Sequence, residues 1–320
     1  MFPTGLSMLW ERTDPQRALQ KRFGFDSFDE AVQWLTKVLA ETWAIELETC
    51  ERLVVSGGNV IAWVDTDRGA LVVKWSRAQE QFAKFTALAE LIHSLHRHGV
   101  PVALPLASSD GSRRVIIGAE PRPLSMTVQL RVEGEPLDAT DTAAVRAAGA
   151  CLATLHRAMA IQVEAPVVES AQKRPLDLHQ RIADWLDRGD PGSAPAASGR
   201  LRDRLSSMRP IDAEPQLIHN DYRAGNILTA NSRVTGVLDF DEIAWDYCVA
   251  DLAQASVYLA TRFTDWQPTP GSVREILFEG YESVRPLTHL EHDWLPTLVL
   301  WSAINAIPPG PDPAGWAHAL

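Results

Sequence analysis

The spacing of apolar positions changes twice along this chain. In Phe28 to Leu39 the apolar residues recur near helical spacing, which predicts an amphipathic helix. It has two uses: packing against the lobe that follows, or serving as a lid or dimer contact. From about residue 51 the period falls to two. Arg52 to Ser56, Val60 to Asp65 and Ala70 to Trp75 read as strands, separated by Gly57-Gly58-Asn59 and by the turn Asp67-Arg68-Gly69. In the third strand Leu71, Val73 and Trp75 share one face and Val72 and Lys74 the other. A helix over Ala78 to His98 follows, with a buried stripe of Phe82, Phe85, Ala89, Ile92 and Leu95 and an end at Gly99 and Pro101. Arg113 to Ile117 and Leu124 to Leu130 supply two more strands, completing a small lobe of antiparallel sheet plus helix.

Arg131 to Pro136 breaks the pattern with Gly and Pro and reads as a connector. Beyond it the period is helical: Ala144 to Ala160, Leu178 to Arg188, Asp251 to Phe263 and the Trp294 to Ala306 region. Gly189 to Gly199, rich in Gly, Pro, Ser and Ala, is expected to be a loop. The predicted class is α+β, divided into an N-terminal helical extension (1–50), a small lobe (51–130) and a larger, mostly helical lobe (131–320).

Composition narrows the function classes. The chain has 320 residues, 46% of them hydrophobic, which is enough to build the cores of two lobes. No run approaches the roughly 18 apolar residues of a membrane helix, and the start lacks the pattern of a signal peptide, so the cytoplasm is the expected compartment. Cys50, Cys151 and Cys248 are widely spaced and read as reduced thiols. A net charge of -11 argues against nucleic acid and is compatible with a cationic small substrate.

The chemistry concentrates in His219-Asn220-Asp221-Tyr222-Arg223-Ala224-Gly225-Asn226, followed by Asp239-Phe240-Asp241. Phosphoryl transfer needs one carboxylate to orient the attacking hydroxyl, and an amide and a second carboxylate to hold magnesium. Ile227 to Thr229 and Val234 to Leu238 read as strands around Ala230-Asn231-Ser232-Arg233. Such a hairpin brings Asn226, where it begins, beside Asp239, where it ends. Lys74, in an apolar strand, needs an anionic partner and fits nucleotide phosphates better than a lysine reaching for water.

This ordered set resembles the aminoglycoside phosphotransferase family, small-molecule kinases with a protein-kinase-like two-lobed fold, from about residue 51 onward. The resemblance implies ATP and Mg2+ as cofactors and assigns roles position by position. Asp221 resembles the catalytic aspartate, Asn226 and Asp239 the magnesium ligands, and Lys74 the lysine on the α and β phosphates. Gly57, Gly58 and Asn59 fall where a loop covers the nucleotide, and Gln129 to Arg131 and Val132 where the connector meets adenine. His219 resembles a brace of the catalytic loop, and Asp251 a helix-start aspartate supporting that loop. Asp241 is either a participant or a solvated neighbour, and His156 reads as a packed, hydrogen-bonded residue.

Two departures stand out. Glu80 and Glu90 are the candidate partners of Lys74, yet neither falls on the predicted buried stripe, and Ser56-Gly57-Gly58-Asn59 lacks GxGxxG. The expected activity is transfer of the ATP γ-phosphoryl group to a hydroxyl of a small molecule, first an aminoglycoside or related antibiotic. Glu242, Asp246, Asp265 and Glu279 are the acidic residues that would attract its amines or else are solvated surface. The alternatives are a metabolic hydroxyl kinase acting on choline, homoserine or a sugar, and a nucleotide-binding pseudokinase.

Overall fold

The computed structural model describes residues 4–118, 122–162, 169, 171–174, 177–188, 194–263 and 265–320. The chain divides into two units, Met1–Arg97 with Val102–Val132, and His98–Pro101 with Glu133–Leu320.

In the first unit a six-stranded sheet has the order β1-β2-β3-β4-β6-β5, made of β1 (Gly5–Met8), β2 (Leu47–Val55), β3 (Asn59–Thr66), β4 (Gly69–Ser76), β5 (Val115–Ile117) and β6 (Leu124–Leu130). Every pairing is antiparallel except β1 on β2. The predicted alternation holds in β4: Leu71, Val73 and Trp75 are fully buried, whereas Val72 and Lys74 are half-buried. The core includes the sheet residues Leu53, Val60, Val73 and Met126 together with Leu19 of α1 (Pro15–Phe23) and Leu35 of α2 (Phe28–Val38). Trp34 meets Trp75 edge-on at 5.4 Å between ring centroids. The amphipathic stripe at 28–39 is thereby spent on the core of this unit, which supports the packing use. A one-turn helix, Gln79–Gln81, leads into α3 (Phe82–Arg97). Its buried stripe is Phe82, Phe85, Leu88, Ala89, Leu91 and Leu95, so Leu88 and Leu91 replace the predicted Ile92, which is half-buried.

The second unit holds α4 (Thr142–Ala160), α5 (Leu178–Arg188), α6 (Pro195–Ser207), α7 (Cys248–Tyr258), α8 (Gly271–Glu282) and α9 (His289–Asn305). It also has two small sheets, ordered β11-β10-β7 and β8-β12-β9. Their strands are β7 (Glu135–Pro136), β8 (Gln172–Lys173), β9 (Gln216–Ile218), β10 (Ile227–Ala230), β11 (Arg233–Val237) and β12 (Ala244–Asp246). α4 and α8 cross so closely that a Cβ on Gly149 would stand 2.1 Å from the Leu277 carbonyl oxygen. A Cβ on Gly280 would meet the Arg146 carbonyl oxygen at the same distance. No larger residue fits at either position without parting the helices.

Several predicted boundaries change, and β1 with the start of β2 falls within the expected helical extension at 1–50. Of the expected loop at 189–199, residues 189–193 lie outside the described residues, and Pro195 to Gly199 belong to α6. Proline is tolerated at a first helical turn, and buried Ala197, Leu201 and Leu205 tie the helix down. The helix expected over Asp251 to Phe263 runs instead from Cys248 to Tyr258, which places Asp251 within its first turn. The three cysteines are free. No helix among the described residues is long and apolar enough to cross a membrane.

Candidate active site

The hairpin forms as its turn residues require. Asn231 and Ser232 both adopt positive φ, 51° and 57°, the conformation of a two-residue turn whose twist matches the flanking strands. Ile227 pairs with Val237, and the Leu238 amide donates to the Asn226 carbonyl at 2.8 Å. Asn226 is therefore across from Leu238, one residue before the Asp239 that the hairpin reading set beside it. Asp239 is exposed and in the left-handed region, with φ 61°, where the chain leaves β11 for the one-turn helix Phe240–Glu242. Asp241 sits half-buried in that turn.

Strand β9 leads into the loop that carries Asp221, and one buried carboxylate fixes its backbone. Asp251 Oδ2 accepts from the His219 amide at 3.0 Å and Oδ1 from the Asn220 amide at 3.0 Å. His156 Nε2 lies 2.9 Å from the same Oδ2, and His156 Nδ1 lies 2.8 Å from the Tyr281 hydroxyl. Burial alone would raise the Asp251 pKa, but the hydrogen bond and charge of His156, with His219 and the Asn220 amide, hold it below the usual carboxylate value. Burial opposes charge on His156 in turn; Cys248, Tyr281 and the Asp251 carboxylate outweigh it and raise its pKa well above the ordinary imidazole value. His219 is fully buried. Its Nδ1 accepts the Asp221 amide at 3.2 Å, so Nε2 carries the proton and donates to the Leu238 carbonyl at 3.0 Å. One imidazole thus spans the loop and the end of the hairpin.

The Asp221 carboxylate is held from two sides. Arg223 Nε donates to Oδ1 at 2.8 Å and Asn226 Nδ2 donates to Oδ2 at 2.7 Å; the same amide nitrogen also reaches the Asp221 carbonyl at 2.9 Å. Both Asn226 amide hydrogens are spent on Asp221, which leaves its side-chain oxygen to offer a cation. The Asp239 carboxylate would supply a second oxygen donor, and oxygen donors are the kind magnesium prefers. Arg223 was not singled out from sequence, although its place two residues after Asp221 was visible.

The chain belongs to the APH phosphotransferase enzyme family.

The family model matches residues 55–292. Curated relatives include a homoserine kinase of Neisseria meningitidis serogroup B, 26% identical over 256 residues and covering 76% of this chain and 75% of that protein. A homoserine kinase of Methylocella silvestris is 28% identical over 261 residues, 78% of this chain and 75% of that protein. Among solved structures, an amicoumacin kinase in complex with AMP-PNP and Ca2+ shares a TM-score of 0.60 at 18% identity, covering 85% of this chain and 83% of its own. A macrolide 2'-phosphotransferase from Brachybacterium faecium gives 0.61 at 18%, covering 88% and 99%. A microcompartment-associated aminopropanol kinase gives 0.57 at 18%, covering 90% and 92%. The fold is thus the two-lobed one of this family, and the enzyme is a small-molecule phosphotransferase with a hydroxyl acceptor.

The remaining positions of the APH pattern lie in the first unit. Lys74 sits in β4 opposite Ile61 and Thr127, and Gln129 in β6 opposite Val72. The β2–β3 turn is tied to the end of β4: Gly58 O accepts from the Arg77 amide at 3.0 Å and from Ser76 Oγ at 3.2 Å, and Gly57 O from Arg77 Nε at 3.2 Å. Asn59 begins β3, and Arg131 Nη1 reaches Glu51 at 3.3 Å. Of the two glutamates considered for Lys74, Glu80 is exposed and Glu90 is engaged by Arg113 Nη1 at 2.9 and 3.2 Å.

Of the four acidic residues expected to draw amines, three carry side-chain bonds to neighbours, and Glu242 is exposed. Asp246 is fully buried and bonded by Arg181 at 2.9 Å and Arg174 at 3.3 Å. Glu279 pairs with Arg146 at 2.6 Å, and Asp265 Oδ1 accepts from Gln267 at 2.8 Å. Glu242 contributes its backbone carbonyl to Asn220 Nδ2 at 3.0 Å.

Proposed function

We propose that this phosphotransferase moves the γ-phosphoryl group of ATP, in the presence of Mg2+, to a hydroxyl of a small metabolic alcohol, with Asp221 as the group that orients the hydroxyl and takes its proton. The observation that carries the reading is the Asp221 carboxylate clamped between Arg223 and Asn226 on a loop whose backbone is bonded to buried Asp251. A base held this way keeps its orientation while the acceptor approaches, and positioning is most of what a loose phosphoryl transition state asks of a protein.

Asn226 and Asp239 would hold the magnesium ion, which neutralises charge on the phosphates. Lys74 would neutralise the α and β phosphates, with Gly57, Gly58 and Asn59 over the nucleotide and Gln129 and Arg131 near its base. An ATP donor suits the cytoplasm. The names of the curated relatives and the engagement of Asp246, Asp265 and Glu279 by neighbours favour a metabolic acceptor over an aminoglycoside. The intact set Asp221, Asn226 and Asp239 favours an enzyme over a pseudokinase.

The test is a coupled assay of Mg-ATP consumption across hydroxylated acceptors. Asp221→Asn should lower kcat by about 10²- to 10⁴-fold, the usual loss of a general base, while nucleotide still binds. A variant keeping more than about a third of wild-type turnover would reject Asp221 as the base, since even the weakest such base contributes far more.

A further inference from the structure

The second unit contains a cavity of about 540 Å³ lined by Arg174, Arg181, Arg188, Trp185, Trp301 and Gln254, among others. Two of these walls are bonded to the residue preceding Asp221: Arg174 Nη2 donates to Asn220 Oδ1 at 2.6 Å, and Gln254 Nε2 to the Asn220 carbonyl at 2.5 Å. The cavity is therefore built against the catalytic loop.

Its charge is lopsided. Three arginines line it, Arg188 and Arg174 with 79% and 24% of their side chains exposed, and no carboxylate is among its described lining residues. Asp246, behind the wall, offsets one of the three charges through its bonds to Arg174 and Arg181. Arg188 meets Asp184 at 3.6 Å with its side chain 79% exposed, a pairing too solvated to cancel much. Apolar surface is present too. Trp185 and Trp301 meet edge-on at 6.2 Å, Arg181 lies 5.5 Å over the Trp301 ring, and Leu298 completes that side. The volume falls in the range of sites that enclose a drug-sized ligand.

We infer that this cavity is the acceptor site and that the acceptor is a hydroxylated acid. Its carboxylate or phosphate is bound by the arginines, and an apolar or ring portion rests on Trp185 and Trp301. The inference rests on the kinase reading above and deepens it: it sets the acceptor's charge opposite to that of an aminoglycoside, and its bulk above that of a short amino alcohol. Arginine suits the task because its planar fork binds both oxygens of an acid and stays charged throughout the working pH range.

The experiment uses the full chain and reads ligand-induced shifts of Tm. Mandelate and L-homoserine are compared with their carboxamides, with a phosphomonoester of a hydroxylated ring compound, and with kanamycin as a polycation. Mandelate should raise Tm more than L-homoserine, and the amides and kanamycin should not raise it. Arg188→Glu, at the exposed rim, should weaken acid binding about tenfold or more, the loss expected of a charge-assisted hydrogen bond, whereas Arg204→Glu on α6 should leave it unchanged. A phosphomonoester shift that depends on Arg188, without one from carboxylates, supports the inference and assigns phosphate as the anion. Amides that bind like acids, kanamycin binding in place of acids, no acid shift at all, or a shift indifferent to Arg188→Glu would overturn it. The two readings fail separately. Turnover surviving Asp221→Asn rejects the base and leaves acid binding intact, while turnover of neutral alcohols without acid binding rejects only the cavity's role.

Discussion

Two buried aspartates in the second unit, Asp251 and Asp246, do opposite things with the same functional group. Asp251 spends its oxygens on two backbone amides and one imidazole, and His156 in turn is bonded to Tyr281. Nothing around it is left to attract a ligand, and its product is a rigid loop. Asp246 is also fully buried, but two guanidinium groups and the Tyr247 amide converge on it. Both arginines also line the neighbouring cavity, where the inference above places an anionic acceptor. A closed network fixes a backbone, and on the inference above an open one would select what enters.

The largest effect should come from breaking the closed network. Asp251→Ala leaves two buried amides without their acceptor and strips the carboxylate from a charged His156, and removing one member of a buried pair costs about 3–5 kcal/mol. Denaturant unfolding would measure that loss, and turnover should fall further than the folded fraction accounts for because the loop carrying Asp221 is released. A loss under about 1 kcal/mol would show that the loop is held by other means.

Asp246→Asn should cost less and reveal the opposite role. Arg174 and Arg181 retain 24% and 10% side-chain exposure, so water can take over part of the lost pairing, and the expected destabilisation is about 1–3 kcal/mol. With the carboxylate neutralised, the cavity gains positive charge and anions should bind it more tightly in the same Tm-shift measurement. Weaker anion binding in a folded Asp246→Asn protein would mean that Asp246 acts chiefly to orient the arginines.

The contrast also marks what was legible in the sequence. Asp221, Asn226, Asp239, His219 and the hairpin lie within twenty-odd residues, so local spacing and turn chemistry sufficed to arrange them. The strands at 52–75 were legible because alternation is a local signal. The cavity was not, because Arg174, Arg181, Gln254 and Trp301 come from three helices and a strand end, and only tertiary packing assembles them. Asp246 was misread for the same reason: as sequence it is an acidic residue near a substrate site, and its arginines are 65 and 72 residues away. β1 and α1 escaped notice because one is a four-residue strand and the other a nine-residue helix of mostly polar residues, with few apolar positions to mark a face. α8 was missed although it packs tightly on α4, since two of the signals of that contact are glycines, which carry no hydrophobic mark.

The smallest predicted effect separates the two aspartates by pH, because only Asp251 has a titratable imidazole as its partner; the arginines on Asp246 stay charged throughout. The Asp251 pKa is lowered in the folded protein, so its contribution to stability is present above the ordinary carboxylate value and is lost as pH falls through the folded value. The His156 pKa is raised in the folded protein, so its contribution is fully present below the ordinary imidazole value and is lost as pH rises through the folded one. Together they give a plateau between roughly pH 4 and 6.5, the two ordinary values, with decline on either side. The Tm difference between wild type and His156→Gln should be largest on that plateau and shrink toward alkaline pH. A difference that stays flat from roughly pH 5 to 10 would mean that His156 is neutral in the fold, and that Asp251 holds the catalytic loop through the two amides and an uncharged hydrogen bond.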